Sequence, residues 1–508
     1  MRSRRILALA LVGLAPPAMV GRATAAEAPA SPESATSEAG AASAGAAQSA
    51  GPDNAAGSPE QGASGGLFEQ SQASAAAAAG TGADAFKLSG YVRGDMFVGK
   101  VPGASQGEIK AGYGEAALIA RTKKGTYGDG FAELRLRYGM QSETQQQAVM
   151  DVREAYVNTY LGPLDIRMGK QIIVWGRADL LNPTNNLTPN DMRVRSAIED
   201  DRRLGNVAVR ANLRLEPVRI EGVWIPAYVP SELPPIDLPQ FVVYGNPTYP
   251  KPELDKGLLA GRVHLELPSV DMSVSYLRGY APLPGLTQTS LTFSSTNPSV
   301  VISRTAYKHQ VVGFDFATAL GDVIALRGEV AYRKPYDYEK LYAPTPKPDL
   351  QYVLGGDHTF GSVSVIAQYV GRYTFHWVKE EGPLAGAVDP SLLQTDNPTV
   401  SKQSAVESVN LQLAKNNQIL FSQTAKIQHL ATARVEWLTL HDTLSLSMLG
   451  LVNITTKEWM AAPKIGYRLS DNMMAYVGAE VLTGPKDTLF GLVDQKMSAG
   501  YVELRSTF

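Results

Sequence analysis

The sequence predicts an all-β protein: a transmembrane, antiparallel, up-and-down β-barrel of about 18 strands (16 as the fallback) with long extracellular loops. Three observations predict this fold. The chain begins with an export signal, its later segments alternate apolar and charged residues with a period of two, and the connections between those segments alternate between short and long. Outside the signal, we find no candidate for a transmembrane helix.

Residues 1–25 have the layout of a secretory signal peptide. Basic MRSRR is followed by apolar ILALALVGLA and by small residues at Ala23–Ala25 that fit a cleavage site. The apolar run is shorter than the roughly 20 residues that span a bilayer. The chain contains no cysteine, which excludes disulfides and thiolate metal ligands. We therefore predict an exported protein without covalent cross-links.

Residues 26–85 are predicted to form a disordered acidic arm rich in Ala, Ser and Gly, because such a segment buries too little apolar surface to fold. The full chain has 47 Lys and Arg against 49 Asp and Glu. Four Arg lie in the signal and seven acidic residues in the arm, so residues 86–508 carry 43 basic against 42 acidic residues. Nucleic-acid binding usually needs a basic excess and is not expected.

Residues 86–508 are predicted to form the barrel. The segment FAELRLRYG from Phe131 alternates apolar residues with Glu and Arg, and segments from Val207, Gly261, Val323 and Ala431 do the same. A soluble β-sandwich has shorter strands and turns its polar face to water, whereas a membrane barrel turns an ionic face to its lumen. The long strands and ionic faces favour the barrel. The predicted lumen-wall residues are Arg135, Arg137, Arg210, Arg214, Arg262, Glu266, Arg327, Glu329, Arg333, Arg434 and Glu436.

The connections support the same fold. Short turns are predicted at Gly162, Pro217, Pro268, Gly321, Gly361, His441 and Ser470. Long links begin at Gly176, Pro230, Pro282, Lys334 and Lys379. Tight periplasmic turns and long outer loops produce this alternation in a membrane barrel, whereas a Greek-key sandwich does not.

The link after the strand that ends at Trp175 is the most unusual. Its 28 residues, Gly176 to Arg203, exceed what a connection requires and carry charges of both signs. Folding into the lumen would let these charges pair with the wall, and a mobile surface loop is the alternative. The predicted constriction residues are Arg177, Asp179, Asn182, Asp191, Arg193, Arg195, Asp200, Asp201, Arg202 and Arg203.

Two further segments carry predictions. Between Lys379 and Thr424, apolar residues such as Val406, Val409 and Leu413 recur at helical spacing, which predicts an outer loop containing a short helix over the pore mouth or dipping into it. At the chain end, GYVELRSTF alternates and finishes on Phe508, which resembles the assembly signal of Gram-negative outer-membrane barrels.

The run GKQIIVWGRAD, followed by Asn182 and Pro183, resembles a segment of outer-membrane barrels grouped under domain-of-unknown-function, porin-like families, which are similar to the alginate-export barrels. Gly169, Lys170, Gln171, Trp175, Gly176, Asp179, Asn182 and Pro183 carry the resemblance. It implies an outer-membrane location and the passage or export of organic molecules. It assigns no functional residue.

The function predicted from these features is a channel for small polar or amphipathic organic molecules, with an outlet of a polysaccharide or lipid export system as the alternative. A surface-displaying barrel or a hydrolase is less favoured. None of the six His lies in a recognisable catalytic motif, and His264 and His429 are expected to line the lumen. No cofactor or metal is expected. The expected partners are outer-membrane lipid and lipopolysaccharide, the barrel assembly machinery and an inner-membrane or periplasmic export complex.

Overall fold

The computed structural model describes residues 86–100, 106–140, 146–233, 241–294, 296–321, 324–380, 393 and 402–508. The predicted signal peptide and acidic arm lie outside the described residues. The described residues contain twenty-one strands: β1 (Phe86–Lys100), β2 (Gly107–Thr122), β3 (Gly128–Met140), β4 (Gln146–Leu161), β5 (Leu164–Gln171), β6 (Asn206–Leu215), β7 (Val218–Ile225), β8 (Val242–Tyr244), β9 (Leu258–Glu266), β10 (Val270–Tyr280), β11 (Gly285–Thr292), β12 (Ser299–Thr305), β13 (Lys308–Leu320), β14 (Ile324–Pro335), β15 (Asp349–Phe360), β16 (Val363–Thr374), β17 (Ile427–Thr439), β18 (Leu444–Asn453), β19 (Glu458–Ser470), β20 (Met473–Thr483) and β21 (Ala499–Thr507).

Eighteen of these strands form one closed antiparallel barrel, which confirms the predicted fold and strand number. Each barrel strand pairs with the next barrel strand along the chain, and β1 closes the ring by pairing with both β2 and β21. In the closing pairs, Arg93 lies opposite Glu115 on β2 and Arg505 on β21. Closure satisfies the backbone hydrogen bonds of both edge strands, as a membrane-spanning sheet requires.

The two ends of the barrel differ. All seven turns predicted from the sequence lie at one end, together with an eighth at residues 123–127 that the sequence analysis missed. Gly162, Gly321 and Gly361 adopt positive φ angles of 64°, 61° and 61° there. Gly162 and Gly361 begin two-residue hairpin turns, which need this conformation, and glycine reaches it without strain. The long links lie at the other end, although the link between β18 and β19, residues 454–457, is short.

The outward face of the barrel is apolar between two aromatic belts. Phe360, Trp437 and Tyr467 are exposed near the turn end, and Tyr138, Tyr332 and Trp459 near the loop end. On β19, Trp459 and Tyr467 are eight residues apart, or roughly 27 Å along the strand, and Ala461, Pro463 and Ile465 lie between them. A membrane barrel has an apolar band of about 25 Å flanked by such belts.

The long links contain structure of their own. Strands β8, β11 and β12 form a separate three-stranded sheet within the links from Pro230 and Pro282, which the sequence analysis treated only as loops. Helix α1 (Lys402–Leu420) packs on β11, where the Asn417 side chain accepts from the backbone N–H of Leu286 at 2.7 Å and donates to its carbonyl at 2.8 Å. The predicted helix between Lys379 and Thr424 is therefore present, at 19 residues.

A second helix, α2 (Leu489–Met497), lies in the link between β20 and β21 and was not predicted. The Thr488 side chain caps its N-terminus by accepting from Gly491 N–H. The ammonium of Lys110 on β2 binds the carbonyls of Lys496 and Ser498, at 3.2 and 2.8 Å, at the C-terminus of this helix. Within the described residues, neither helix is long and apolar enough to cross a membrane.

The chain end completes the barrel seam. Phe508 exchanges two backbone hydrogen bonds with Gly90, at 2.9 and 3.0 Å, and its side chain is 63% exposed on the outward face. Val502 and Leu504 are also outward, whereas Glu503 and Arg505 are buried inside. This is the alternation that the sequence predicts, and the role of Phe508 in assembly stays a prediction.

Candidate functional site

The link between β5 and β6, residues 172–205, folds into the barrel; we call it the inner loop. Its side chains contact inward-facing residues at mid-strand around most of the ring, from Arg93 on β1 to Glu480 on β20. Trp175 and Leu187 are only 1% and 2% exposed. The long link that the sequence singles out therefore lies across the lumen, not on the outer surface.

The sequence motif around Trp175 fixes how the inner loop leaves the wall. Buried Gln171 donates to the carbonyl of Ala208 at 3.0 Å, and the Trp175 indole N–H donates to Glu221 at 3.0 Å. Gly176 has a φ of +98°, and a Cβ there would collide with the Asn182 side chain. Glycine at position 176 is therefore required both by the backbone angle and by the space available.

Glu221 on β7 organises this corner. Besides Trp175, its carboxylate accepts from Arg210 at 2.8 Å and lies 3.4 Å from Nε2 of His264. It is 1% exposed, so its negative charge is compensated by partners rather than by solvent. The Trp175 indole therefore binds a carboxylate that Arg210 on β6 and His264 on β9 hold in place.

A second carboxylate, Glu329 on β14, binds the next residues of the inner loop. It accepts from the backbone N–H groups of Arg177 and Ala178 and from the Thr184 hydroxyl, the last at 2.9 Å. The Arg177 side chain reaches Asp315 on β13 at 2.9 Å. A charge-assisted hydrogen bond is stronger than a neutral one, and several converge on this turn.

Asp201 anchors the far end of the inner loop. Its carboxylate lies 2.7 Å from both Arg93 on β1 and Arg135 on β3, and 3.7 Å from Arg153 on β4. Burial alone would raise the pKa of Asp201, but Arg93, Arg135 and Arg153 outweigh it and hold the pKa well below its usual range. This carboxylate is therefore charged at any physiological pH and joins three strands to the inner loop.

Three ion pairs attach the inner loop to the remaining side of the barrel. Arg434 on β17 lies 2.9 Å from Asp179 and 3.0 Å from Glu199. Arg202 lies 2.7 Å from Glu480 on β20. Between these pairs a cavity of about 110 Å³ remains open between the inner loop and β17–β21; we call it the passage.

The predicted lumen-wall residues all lie on the inward face. Three of them contact the inner loop directly: Arg135, Glu329 and Arg434. Three others pair with buried carboxylates of the wall, Arg137 with Glu115, Arg210 with Glu221 and Arg262 with Asp315. Arg327 and Arg333 pair with Asp357 and Asp349 on β15. Arg214 and Glu266 lie near the turn end, with side chains 56% and 49% exposed, and pair with Asp165 and Arg219. Glu436 is half-buried two residues beyond Arg434 on the same face.

The predicted constriction residues divide into two sets. Arg177, Asp179, Arg195, Asp201 and Arg202 bind the wall or helix α2 directly, since Arg195 donates to the Met497 carbonyl at 3.1 Å. Asp191, Arg193, Asp200, Asn182 and Arg203 bind mainly within the inner loop: Arg193 pairs with Asp191 at 2.8 Å, and Asn182 accepts from Asn185 N–H at 3.2 Å. The side chains of the second set mainly shape the inner loop; outside it, Arg193 lies 3.6 Å from Glu232, and the Asp200 carbonyl accepts from Arg153 on β4 at 2.7 Å.

Sequence reasoning missed the wall partners Arg93, Arg153, Glu221, Asp315 and Glu480 and every residue of β18 and β19 that lines the passage. The sequence gives a weak indication that Asp315 faces the lumen, because it is the single charged residue in the otherwise apolar segment VVGFDFA. The expectation that His429 lines the lumen is wrong. It is exposed on the outward face, 2.6 Å from the Tyr369 hydroxyl, because its register places it opposite outward-facing residues. His264 lies inside, as expected.

Among the described residues, no group of three or more His, Asp or Glu side chains is arranged to hold a metal ion.

Residues 6–396 match the family described as "Protein of unknown function (DUF1302)". The chain belongs to that family. No curated protein matches it. The matched residues include the whole inner loop and the motif residues around Trp175 that fix its path.

Solved structures of barrel proteins are similar to this chain at low identity. Acinetobacter baumannii OccAB3 is 9% identical with a TM-score of 0.46, covering 83% of this chain and 99% of that chain. Pseudomonas aeruginosa OccK2 (OpdF), in complex with glucuronate, is 9% identical with a TM-score of 0.47, covering 83% and 96%. A BenF-like porin from Pseudomonas fluorescens Pf-5 is 9% identical with a TM-score of 0.46, covering 83% and 98%.

Proposed function

We propose that the protein is an outer-membrane channel that passes small polar or amphipathic organic molecules through the passage. The observation that carries this proposal is the inner loop, which crosses a closed barrel, is ion-paired to the wall on several sides and leaves open space of about 110 Å³ against β17–β21. A charged constriction of this kind filters solutes by size and by charge.

The outward face supports the membrane location. Two aromatic belts bound an apolar band of the height that an outer membrane requires, and the ionic residues lie inside. Contact with outer-membrane lipid and lipopolysaccharide, and assembly through Phe508, belong to the same proposal.

The alternative function, an outlet for a polysaccharide or lipid export system, would need a wider opening. The inner loop would have to leave the lumen, which would break the ion pairs of Asp201, Arg177 and Arg434 together. Leaving buried charges unpaired is strongly unfavourable. We therefore favour diffusion of small molecules over polymer export.

The test is single-channel conductance in a planar bilayer. Gln171 and Asn206 are paired across β5 and β6, so residues 172–205 can be replaced by an Asn-Gly hairpin that keeps the strand register. The wild-type chain should show small, steady conductance steps in KCl, and the shortened chain steps several-fold larger. Heat-modifiable migration on a gel shows that each barrel has formed. Correctly formed barrels without conductance steps in either chain would refute the channel.

A further inference from the structure

The passage has two chemically different sides. On the strand side, Leu449 of β18 lies beside Ala462 of β19 in an inward-facing pair, and Met460 lies one inward position further toward the loop end. On the opposite side the inner loop contributes Leu180 among its ion-paired charges. The strand side of the passage therefore carries an apolar strip, Leu449, Ala462 and Met460, flanked by the polar side chains of Ser447, Lys464, Arg434 and Glu480.

One cation at this apolar strip differs from the others. Arg434 and Arg202 are engaged with carboxylates, at 2.9 and 2.7 Å. Lys464 is the next inward-facing residue after Ala462 on β19. Its Nζ lies 5.9 Å from the centroid of the Tyr476 ring. Within the described residues, no carboxylate lies within ion-pair distance of Lys464.

We infer that the passage is a binding site for an amphipathic organic anion, with its charged group at Lys464 and its apolar body along Ala462, Met460 and Leu449. The inference rests on the proposed channel function and names its solute class. Lys464 and Met460 are four residues apart on one face, so the site extends roughly 13 Å along the strand. The Lys464 ammonium contacts the Tyr476 ring but has no carboxylate partner among the described residues, so it attracts an anion, while the apolar strip favours burial of a hydrocarbon.

The first experiment uses octanoate, acetate and octylammonium as probes in single-channel recordings of the refolded full-length barrel. Octanoate should interrupt the KCl current, whereas acetate lacks the apolar body and octylammonium has the wrong charge. Lys464→Gln should weaken the octanoate interruptions about tenfold, the loss expected for one charge-assisted hydrogen bond. Lys464→Arg should preserve them. The control is Lys486→Gln, which removes the same charge from an exposed link.

The second measurement is calorimetric titration of octanoate into the same barrels, which detects the site independently of conduction. Met460→Gln should weaken octanoate binding, because it replaces part of the apolar strip with a polar side chain. Equal interruption by acetate, stronger interruption by octylammonium, or unchanged octanoate binding in Lys464→Gln would overturn the inference. Octanoate binding that depends on Lys464, without any KCl conductance, would instead refute the channel and leave the binding site standing.

Discussion

Two parts of the lumen surface differ in what their side chains bind. The inward faces of β1–β4 and β13–β14, which we call the clamped wall, carry charges that bind the inner loop, through Arg93, Arg135, Arg153, Asp315 and Glu329. The inward faces of β18 and β19, which we call the passage wall, present mostly apolar side chains to open space. The charges of the clamped wall therefore hold the inner loop, while other lumen charges, such as Arg327 and Arg333, pair within the wall.

This difference changes how an ionic lumen is interpreted. A row of inward Arg and Glu residues suggests selection of charged solutes. In this barrel most of those residues are neutralised by partners within hydrogen-bond distance, so they present little net field to a solute. Selectivity is then expected from the passage wall, where Lys464 is the cation without a carboxylate partner among the described residues.

Asp201→Ala on the inner loop should produce the largest effect. It removes the carboxylate that Arg93 and Arg135 share, and breaking a buried ion pair typically costs about 3–5 kcal/mol. Urea unfolding of the folded barrel should show a lower free energy of unfolding, and the single-channel current should become noisy. The control is Asp200→Ala, which loses one partly exposed pair with Arg203 within the inner loop and should therefore cost less than the loss of Asp201. Equal losses in both variants would show that Asp201 is not the anchor.

The second prediction concerns two neighbouring residues of β17, the strand that binds the inner loop beside the passage. Val435 faces outward, is 38% exposed and lies one outward position from Trp437 of the turn-end belt, so Val435→Arg should impair barrel assembly by less than the roughly 2–4 kcal/mol that Arg costs at mid-bilayer. Arg434→Ala should leave assembly intact and raise the conductance, since Asp179 and Glu199 lose their wall partner. Heat-modifiable gel migration and bilayer conductance separate the two effects. If both variants impaired assembly equally, the assigned faces of β17 would be wrong.

A third prediction sharpens the description of the passage wall. Ala462→Phe adds an aromatic ring to the open space and should reduce the KCl conductance several-fold, with little change in stability. Its neighbour Ala461 lies on the outward face, so Ala461→Phe should leave conductance unchanged. Single-channel recording measures both. A normal conductance in Ala462→Phe would place the solute path elsewhere in the lumen.

The smallest effect is expected from mild acid. Because Arg93, Arg135 and Arg153 outweigh burial and hold the pKa of Asp201 well below its usual range, its contribution to stability is complete above the unfolded-state pKa of about 3.9. That contribution is lost only as the pH falls through the lower folded-state pKa. Current noise should therefore stay constant from pH 7 to about pH 4.5. An Asp201-dependent rise in noise near pH 6, absent from Asp201→Asn, would contradict this account.

Much of the fold could be predicted from local patterns. The alternation in FAELRLRYG or ATARVEWLTL assigns each residue to one face, and the structure places Arg135 and Arg434 inside and Leu134 and Val435 outside accordingly. Turn residues such as Gly162 mark the turn end of the barrel, and helical spacing indicates α1. These features are predictable because period, propensity and turn chemistry are properties of short segments.

The pattern failed where local sequence is ambiguous. His429 lies in an alternating strand and next to Leu430, but its register turns it outward toward Tyr369. The small sheet of β8, β11 and β12 forms within links rich in Pro and Ser, where three-residue β8 is too short to give a periodic signal. Such elements depend on pairing partners that are distant in sequence.

The sequence by itself determined the strand faces, the turn end, the helix in the longest link and the unusual character of the inner loop. Only the tertiary structure decided which charges meet, because Asp201 joins Arg93, Arg135 and Arg153 only once the barrel has closed and the inner loop has folded back. It also decided where the lumen stays open. The passage wall carries only a weak local signal, since the segment MAAPKIGY of β19 has Lys464 as its single charge and apolar or small residues on both faces, so its inward residues are identified by the register that β18 and β20 impose.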